Sequence, residues 1–249
     1  MEIICGINAV YETLKAKKRK AHTLFIAEGK KDNTILKLVE LAEKSGLKVK
    51  TVQRSKIFEL SHVETNQGVA LEVEPVQYLS IEELINISKK RGKAPFIVIL
   101  DQINDPHNLG AIIRTAHLVG ADGIVIPKDN SADVTPTVTK ASSGAVEYLP
   151  IAKVVNLNAA INTLKNNNIW VVGAEGGGNK TIYDYDFDSA VAIVLGGEGK
   201  GLRRLVKEHC DELLKIPMFG NIDSYNVSVA GAIFMAEVMR QRLHPKGSL

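Results

Sequence analysis

The sequence predicts an α/β protein in two parts: a small N-terminal α/β unit and a larger C-terminal unit built on a parallel sheet. Three observations carry this. Apolar runs such as 96–100 lack the polar alternation of a half-exposed strand, as strands covered on both faces do. Similar runs recur at 123–126, 169–172, 190–195 and 213–216, which gives five expected strands. Helical stretches at 108–119, 134–146, 157–167, 201–208 and 226–242 separate them, and that alternation means βαβ units.

The first part alternates over shorter segments. Ala9, Val10 and Leu14 give helical spacing over 8–18, and 23–27 reads as a short strand. A helix over 32–45 has Asp32 or Asn33 as its cap and Gly46 as its stop. Strand 49–52, a short helix over 55–60, the turn Asn66-Gln67-Gly68 and strand 69–73 complete this unit. Pro75 ends it, and Ser80 caps a polar amphipathic helix running to Lys90. The expected division is a domain over 1–74, a linker over 75–94 and a second domain over 95–249.

Of 249 residues, 45% are hydrophobic and 24% charged, an ordinary globular composition. The longest apolar runs reach about a quarter of the roughly 20 residues a membrane-spanning helix needs, so no span is expected. An acid at position 2 and the lack of a basic n-region argue against a secretory leader, and the chain is expected to stay in the cytoplasm. Cys5 and Cys210 are too few for a disulfide framework or a thiolate zinc site; both read as free, buried thiols. No histidine pair has metal-ligand spacing, so no metal is expected. The net charge of +3 is unevenly spread: residues 1–94 hold 17 Lys and Arg against 12 Asp and Glu, while 95–249 hold 14 against 16. A polyanion such as RNA would account for the basic part through counterion release. A solvated helix end at Lys17-Lys18-Arg19-Lys20 accounts for it equally simply.

In parallel α/β sheets ligands bind beyond the carboxyl ends of the strands, so the loops after the apolar runs are where chemistry belongs. Three are unusual. Asp101–Gly110 is polar, contains His107 and leads into a helix carrying Arg114. Gly196-Gly-Glu-Gly-Lys-Gly201 packs four glycines around Glu198 and Lys200. Ile216–Ser228 places Ser224, Asn226 and Ser228 at the start of the last helix. A dinucleotide fingerprint at Gly197 fails because Leu202 stands where the third glycine is required. A phosphate loop over Gly173–Thr181 fails because Asn179 breaks the register of its Lys-Thr pair.

Taken in order, these loops resemble the three motifs of the SpoU/TrmH family of RNA ribose 2′-O-methyltransferases, within the SPOUT superfamily. Asn104–Ala116 is similar to motif 1, Leu195–Leu202 to motif 2, and Ile216-Pro-Met218 through Asn226–Ala230 to motif 3. Gly6–Glu12 and Asn66–Val69 resemble the substrate-binding domain of the RlmB-like branch, which methylates a guanosine of 23S rRNA. The resemblance implies S-adenosylmethionine as methyl donor, a deep trefoil knot in the C-terminal domain, and a homodimer whose interface builds the active site; RNA is the implied partner, with no role for DNA or a membrane. It implies that Leu195, Gly196, Gly197, Gly199, Gly201, Ile216, Met218, Tyr225 and Val227 hold the cofactor, Tyr225 departing from the usual Leu. Arg114 becomes the main catalytic residue, paired with Glu198, while Asn108, Asn226 and Ser228 orient the substrate. Helix capping is the competing reading for each of these residues. A tRNA substrate, and a non-catalytic RNA-binding protein of the same fold, are the alternatives.

Overall fold

The computed structural model describes residues 1–197, 199 and 201–244. The chain runs β1 (Glu2–Cys5), α1 (Ile7–Ala16), β2 (Ala21–Ala27), α2 (Asn33–Lys44), β3 (Lys48–Val52), α3 (Arg54–Ser61), β4 (Val69–Val73) and α4 (Ile81–Lys90). It continues β5 (Phe96–Asp101), α5 (Pro106–Leu118), β6 (Gly123–Pro127), α6 (Pro136–Ala141), β7 (Ile151–Val154), α7 (Leu157–Asn166) and β8 (Trp170–Ala174). The last elements are β9 (Lys180–Thr181), β10 (Val191–Gly196), α8 (Arg204–His209), β11 (Glu212–Lys215) and α9 (Val227–Leu243). Contacts divide them into two compact units, residues 1–77 with 134–148, and residues 78–133 with 149–249. Among the described residues no helix is long and apolar enough to cross a membrane.

The larger unit carries an all-parallel sheet of seven strands in the order β7-β6-β5-β10-β8-β11-β9. Its inner strands are the unalternating runs: every residue of β5 and β6 is buried, and so is β10 up to Leu195. One face packs Ile97, Ile99, Val125, Val171, Ala192 and Val194 against α4, α7 and α8. Helices α5 and α9 pack on each other, α5 also against β6 and α9 against β10. Five expected strands become seven. Strand β7 carries Lys153, and β9 is the two polar-flanked residues Lys180 and Thr181, ordered by pairing with β11, so neither shows an apolar run. Residues 75–94, expected as a linker, hold α4, whose Ile81, Leu84 and Ile85 are buried in this core. The capping box of Ser80 with Glu83 starts that helix where the sequence indicates.

The smaller unit has a four-stranded mixed sheet, β1-β4-β2-β3, antiparallel except for the β2–β3 pair. Strand β1 had no expected counterpart because Ile3-Ile4-Cys5 is cut short by Gly6. Gly6 gives α1 no side-chain cap, and Gln67 Oε1 takes that place, accepting from Ile7 N at 2.8 Å. Asn66 holds the same turn, its Oδ1 accepting from Gly68 N at 2.9 Å. The two N-terminal sequence motifs are thus one structural contact.

Residues 134–146, expected as a single helix, are α6 and then the start of a short 3-10 turn at Ala145–Glu147; Ser143 and Gly144, both at positive φ, interrupt the helix, and residues 134–148 belong to the smaller unit. Glu147 in this segment pairs with Arg19, the other buried charge among the described residues of the smaller unit. Arg19 donates through Nε to Glu147 Oε2 at 3.2 Å, through Nη2 to Oε1, and through Nη1 to Glu2 Oε2 at 3.1 Å. Thr13 Oγ1 donates to Glu147 Oε1 at 3.0 Å, and the Tyr148 hydroxyl to Glu12 Oε2 at 2.6 Å. Burial, reinforced by Glu12, pushes the Tyr148 hydroxyl up to about 12. Because its folded value is raised, this contact's contribution is complete below pH 10 and is lost as pH rises through about 12.

Removing one partner of a buried ion pair leaves the other charge uncompensated, which costs about 3–5 kcal/mol. The side chains of Arg19 and Glu147 are 4% and 1% exposed, so Arg19→Ala is expected to destabilise the smaller unit by about that amount in urea unfolding. Arg19→Met with Glu147→Leu should recover most of it. A chain starting at residue 75 also loses Glu12, Thr13 and Arg19, and its segment 134–148 should show faster amide exchange than in the full chain.

Candidate active site

The carboxyl ends of β8, β10 and β11 open onto a cavity of about 320 Å³. Its wall is apolar where Leu195, Leu214, Ile216, Val227, Ala230 and Phe234 meet, and it is otherwise floored by glycine backbone and closed by Asp223, Ser224 and Tyr225. All nine residues expected around a cofactor line this one cavity: Leu195, Gly196, Gly197, Gly199, Gly201, Ile216, Met218, Tyr225 and Val227. Two of the three motif loops, together with residues 174–176 at the end of β8, therefore converge there.

The glycines at its floor have a structural reason beyond ligand approach. After β10 the chain turns back so closely that a Cβ on Gly196 would lie 2.2 Å from the carbonyl carbon of Gly201. A Cβ on Gly197 would lie 2.5 Å from the backbone oxygen of Gln102. Any side chain at these positions meets backbone that cannot yield. The turn is closed by a bridge in which Gly201 N donates to Gly197 O at 3.1 Å. Just beyond it, Asp101, fully buried at the end of β5, accepts from Arg203 N at 2.9 Å and from Arg203 Nε at 2.7 Å. Asp101 is also the register partner of Gly196, so one carboxylate ties both ends of the glycine turn to the central strand.

The expected catalytic residues lie on α5 and α9. Asp105 caps α5, accepting from His107 N at 3.0 Å and Asn108 N at 3.3 Å; Pro106 supplies the first helical turn. Asn226 caps α9, its Oδ1 accepting from Ser228 N at 2.9 Å and from Ser228 Oγ at 2.6 Å. Its Nδ2 donates to Asn108 Oδ1 at 3.1 Å. Asn226 therefore both caps a helix and crosses to the other helix start, and Ser228 acts through it. Asn108 is buried, with its backbone bound by the cap. Arg114 is exposed on α5, two turns beyond Asn108. Glu198, expected as its partner, lies outside the described residues, as does Lys200.

Several lining residues had no motif to announce them: Ala174, Glu175, Gly176, Leu214 and Phe234. The first three stand at and just after the end of β8, where the rule of carboxyl ends would have placed them once the phosphate-loop reading failed. The others are single apolar positions within β11 and α9, indistinguishable in sequence from core. Cys210, behind the cavity, is half-buried, and burial pushes its thiol up to about 12.

Comparison with known proteins gives consistent matches. Residues 95–236 match the model of the SpoU rRNA Methylase family, and residues 3–79 the model for RNA 2′-O ribose methyltransferase substrate binding. YacO of Bacillus subtilis, named for the TrmH family of tRNA/rRNA methyltransferases, is 42% identical over 241 residues, spanning 97% of this chain and 96% of its own. The 23S rRNA (guanosine-2′-O-)-methyltransferase RlmB of Escherichia coli K12 is 38% identical over 241 residues, spanning 97% and 99%. The solved structure of an AdoMet-bound rRNA methyltransferase from Sinorhizobium meliloti aligns with a TM-score of 0.80 at 26% identity, over 96% of this chain and 87% of that one.

Gly196→Ala tests the backbone crossing. Overpacking against rigid backbone costs about 1–3 kcal/mol or more, so the variant is expected to melt lower and to lose ligand binding at the cavity. Gly177→Ala, where a Cβ meets nothing within 4 Å, should leave both unchanged.

Proposed function

Because the chain belongs to the SpoU rRNA methylase family, we propose that it transfers a methyl group from S-adenosylmethionine to a ribose 2′-hydroxyl of RNA, the target being a guanosine of 23S rRNA. The observation that carries this reading is the cavity formed by the second and third motif loops with the end of β8, beside the hydrogen bond that links the start of α9 to the start of α5 in the first motif. Its residues fit the cofactor: the apolar wall suits a flat purine, and five lining glycines expose backbone N–H and C=O groups. The relative from Sinorhizobium meliloti is AdoMet-bound by its own description. When bound, the cofactor supplies an electrophilic methyl group, so the protein has only to position two substrates and manage one proton.

Leu195, Ile216, Met218, Tyr225 and Val227 pack against the cofactor, and Gly196, Gly197, Gly199 and Gly201 meet it with backbone. Arg114 faces the ribose oxygen. A guanidinium is a cation throughout the accessible pH range, so its role is to favour the negative charge developing on that oxygen rather than to remove its proton. The proton leaves to water or a substrate phosphate. The family resemblance assigns Glu198 to hold Arg114, a charge-assisted pair that would fix the planar fork. Asn108 and Asn226, already joined across the helix starts, orient the hydroxyl, and Ser228 keeps Asn226 in place.

The smaller unit supplies RNA affinity. Residues 3–79 match the substrate-binding model, and the basic excess of the chain lies before residue 95. Unpaired loop nucleotides with accessible 2′-hydroxyls are the RNA such an enzyme can reach. Close backbone passage at Gly196 supports a knotted C-terminal domain. Exposed Leu118 on α5 and Met239 and Leu243 on α9 offer an apolar face to a second copy, which supports a homodimer. Two cysteines, both free, fit the cytoplasmic location expected from the sequence.

Arg114→Ala separates catalysis from binding. Loss of one group aimed at the developing charge lowers rates about 100- to 1,000-fold. Single-turnover transfer of labelled methyl to rRNA should fall by that factor while cofactor titration is unchanged, and Arg114→Lys should rescue little. Turnover near wild type would sink the role given to Arg114. Light scattering should return twice the chain mass, and Leu243→Asp should shift it toward one.

A further inference from the structure

The two faces of the four-stranded sheet in the smaller unit are covered unequally. On one, Leu24, Ile26, Val49 and Leu71 pack with Val10 and Leu14 of α1 and Ile35 and Leu38 of α2. On the other, α3 packs on β1, β2 and β4, burying Ile57 with Ala27 and Ala70 and leaving Phe25 and Val52 partly covered. Beyond α3 the edge strand β3 presents Lys48 and Lys50 to solvent, opposite Thr23 and Phe25 of β2. The Lys50 ammonium lies 5.6 Å from the centroid of the Phe25 ring. Neither lysine is in an ion pair among the described residues. Lysines on an edge strand guard against sheet-to-sheet pairing, which explains the charges but not a partly exposed aromatic ring beside them.

We propose that this β2–β3 face holds unpaired RNA, one base stacking on Phe25 while Lys48 and Lys50 neutralise neighbouring phosphates. This rests on the function proposed above and gives the RNA of that reading its seat on the smaller unit. Alternate residues of a strand face the same way about 7 Å apart, the interval of phosphates along an extended single strand. Every base offers a flat π-face, so stacking on an aromatic ring tolerates varied sequence. In the free protein Lys50 holds the place of that base, and its flexible four-carbon stem lets the charge swing to a phosphate. Glu72, across β2 from Lys48, confines phosphates to the β3 edge. A duplex does not fit, because its bases are stacked on each other and only unpaired ones can be splayed onto a ring. A protein partner is disfavoured: the face offers one aromatic beside charges, whereas the core of a protein interface is apolar and depleted of lysine.

Fluorescence anisotropy of the full chain with a labelled polyuridine strand, over a series of salt concentrations, tests this. Stacking on an aromatic side chain is worth about 5- to 150-fold in affinity per base, so Phe25→Leu should weaken binding by that factor at every salt concentration. Phe25→Tyr, which keeps a flat ring, should bind as the wild type does and controls for lost packing. Lys48→Gln with Lys50→Gln, both on the surface, should lower the slope of log affinity against log salt by about 1.4, the value for two phosphates of a single strand. Wild-type affinity in Phe25→Leu, or an unchanged slope in the lysine pair, would overturn the assignment. So would a salt effect carried wholly by Lys17→Gln with Lys18→Gln at the end of α1, or an RNA duplex bound as tightly as the single strand. A change of mass in light scattering with RNA affinity intact would make this face a contact between copies instead. Methyl transfer to rRNA by the wild type, scored separately, keeps the methyltransferase reading standing in each of these cases. A wild type with no affinity for RNA overturns both.

Discussion

The end of β10 can fold back on its own continuation only because residue 196 has no side chain, and the cavity depends on that passage. With a Cβ 2.2 Å from the next turn's backbone, the strand end and residues 201–202 could not lie side by side. The loop would then open away from Ile216 and Met218. Asp101 secures the arrangement from below. It is a fully buried carboxylate whose two oxygens are both taken by Arg203, and it sits in register with Gly196. Buried charges are tolerated when paired and hydrogen-bonded, and this one holds the exit of a turn that a flexible glycine segment would otherwise leave loose. Rigidity at the floor is what a transfer enzyme needs, because its contribution is largely orientation.

A similar economy governs the two helix starts beside the cavity. Asn226 satisfies the first N–H groups of α9 and, with its amide nitrogen, reaches Asn108 at the start of α5. The cap is therefore compatible with the positioning role proposed for this residue. The cap fixes its rotamer, and the fixed rotamer aims the amide. In the smaller unit, Gln67 caps α1 from a distant turn, and Arg19 with Glu147 buries a charge pair that a stable core would not itself require.

Much of this was legible in the sequence where the signal was local or repeated. The fully buried strands β5, β6 and β10 stand out as apolar runs, and Asp32 and Ser80 mark helix starts. The nine positions expected around a cofactor came from ordered motifs, and all nine line one cavity. What was not legible is what pairing alone creates. Strands β7 and β9 are ordered by their neighbours, and α4 looked like linker because its buried face is only Ile81, Leu84, Ile85 and Ser88. The break at Ser143 and Gly144 hid in a helical composition, and the attachment of residues 134–148 to the smaller unit rests on contacts more than 100 residues apart in the chain, such as Thr13 with Glu147. Glu175 was overlooked for a related reason: only the folded chain shows that this acid after β8 borders the cavity.

The claim on which the account turns is that this cavity delivers a methyl group to a ribose oxygen. Nucleoside mass spectrometry of 23S rRNA from cells with and without this gene addresses it directly. One guanosine should carry a 2′-O-methyl group, resistant to alkaline cleavage, only when the gene is present. A methyl found on a base instead, or no difference between the two rRNA samples, would contradict it.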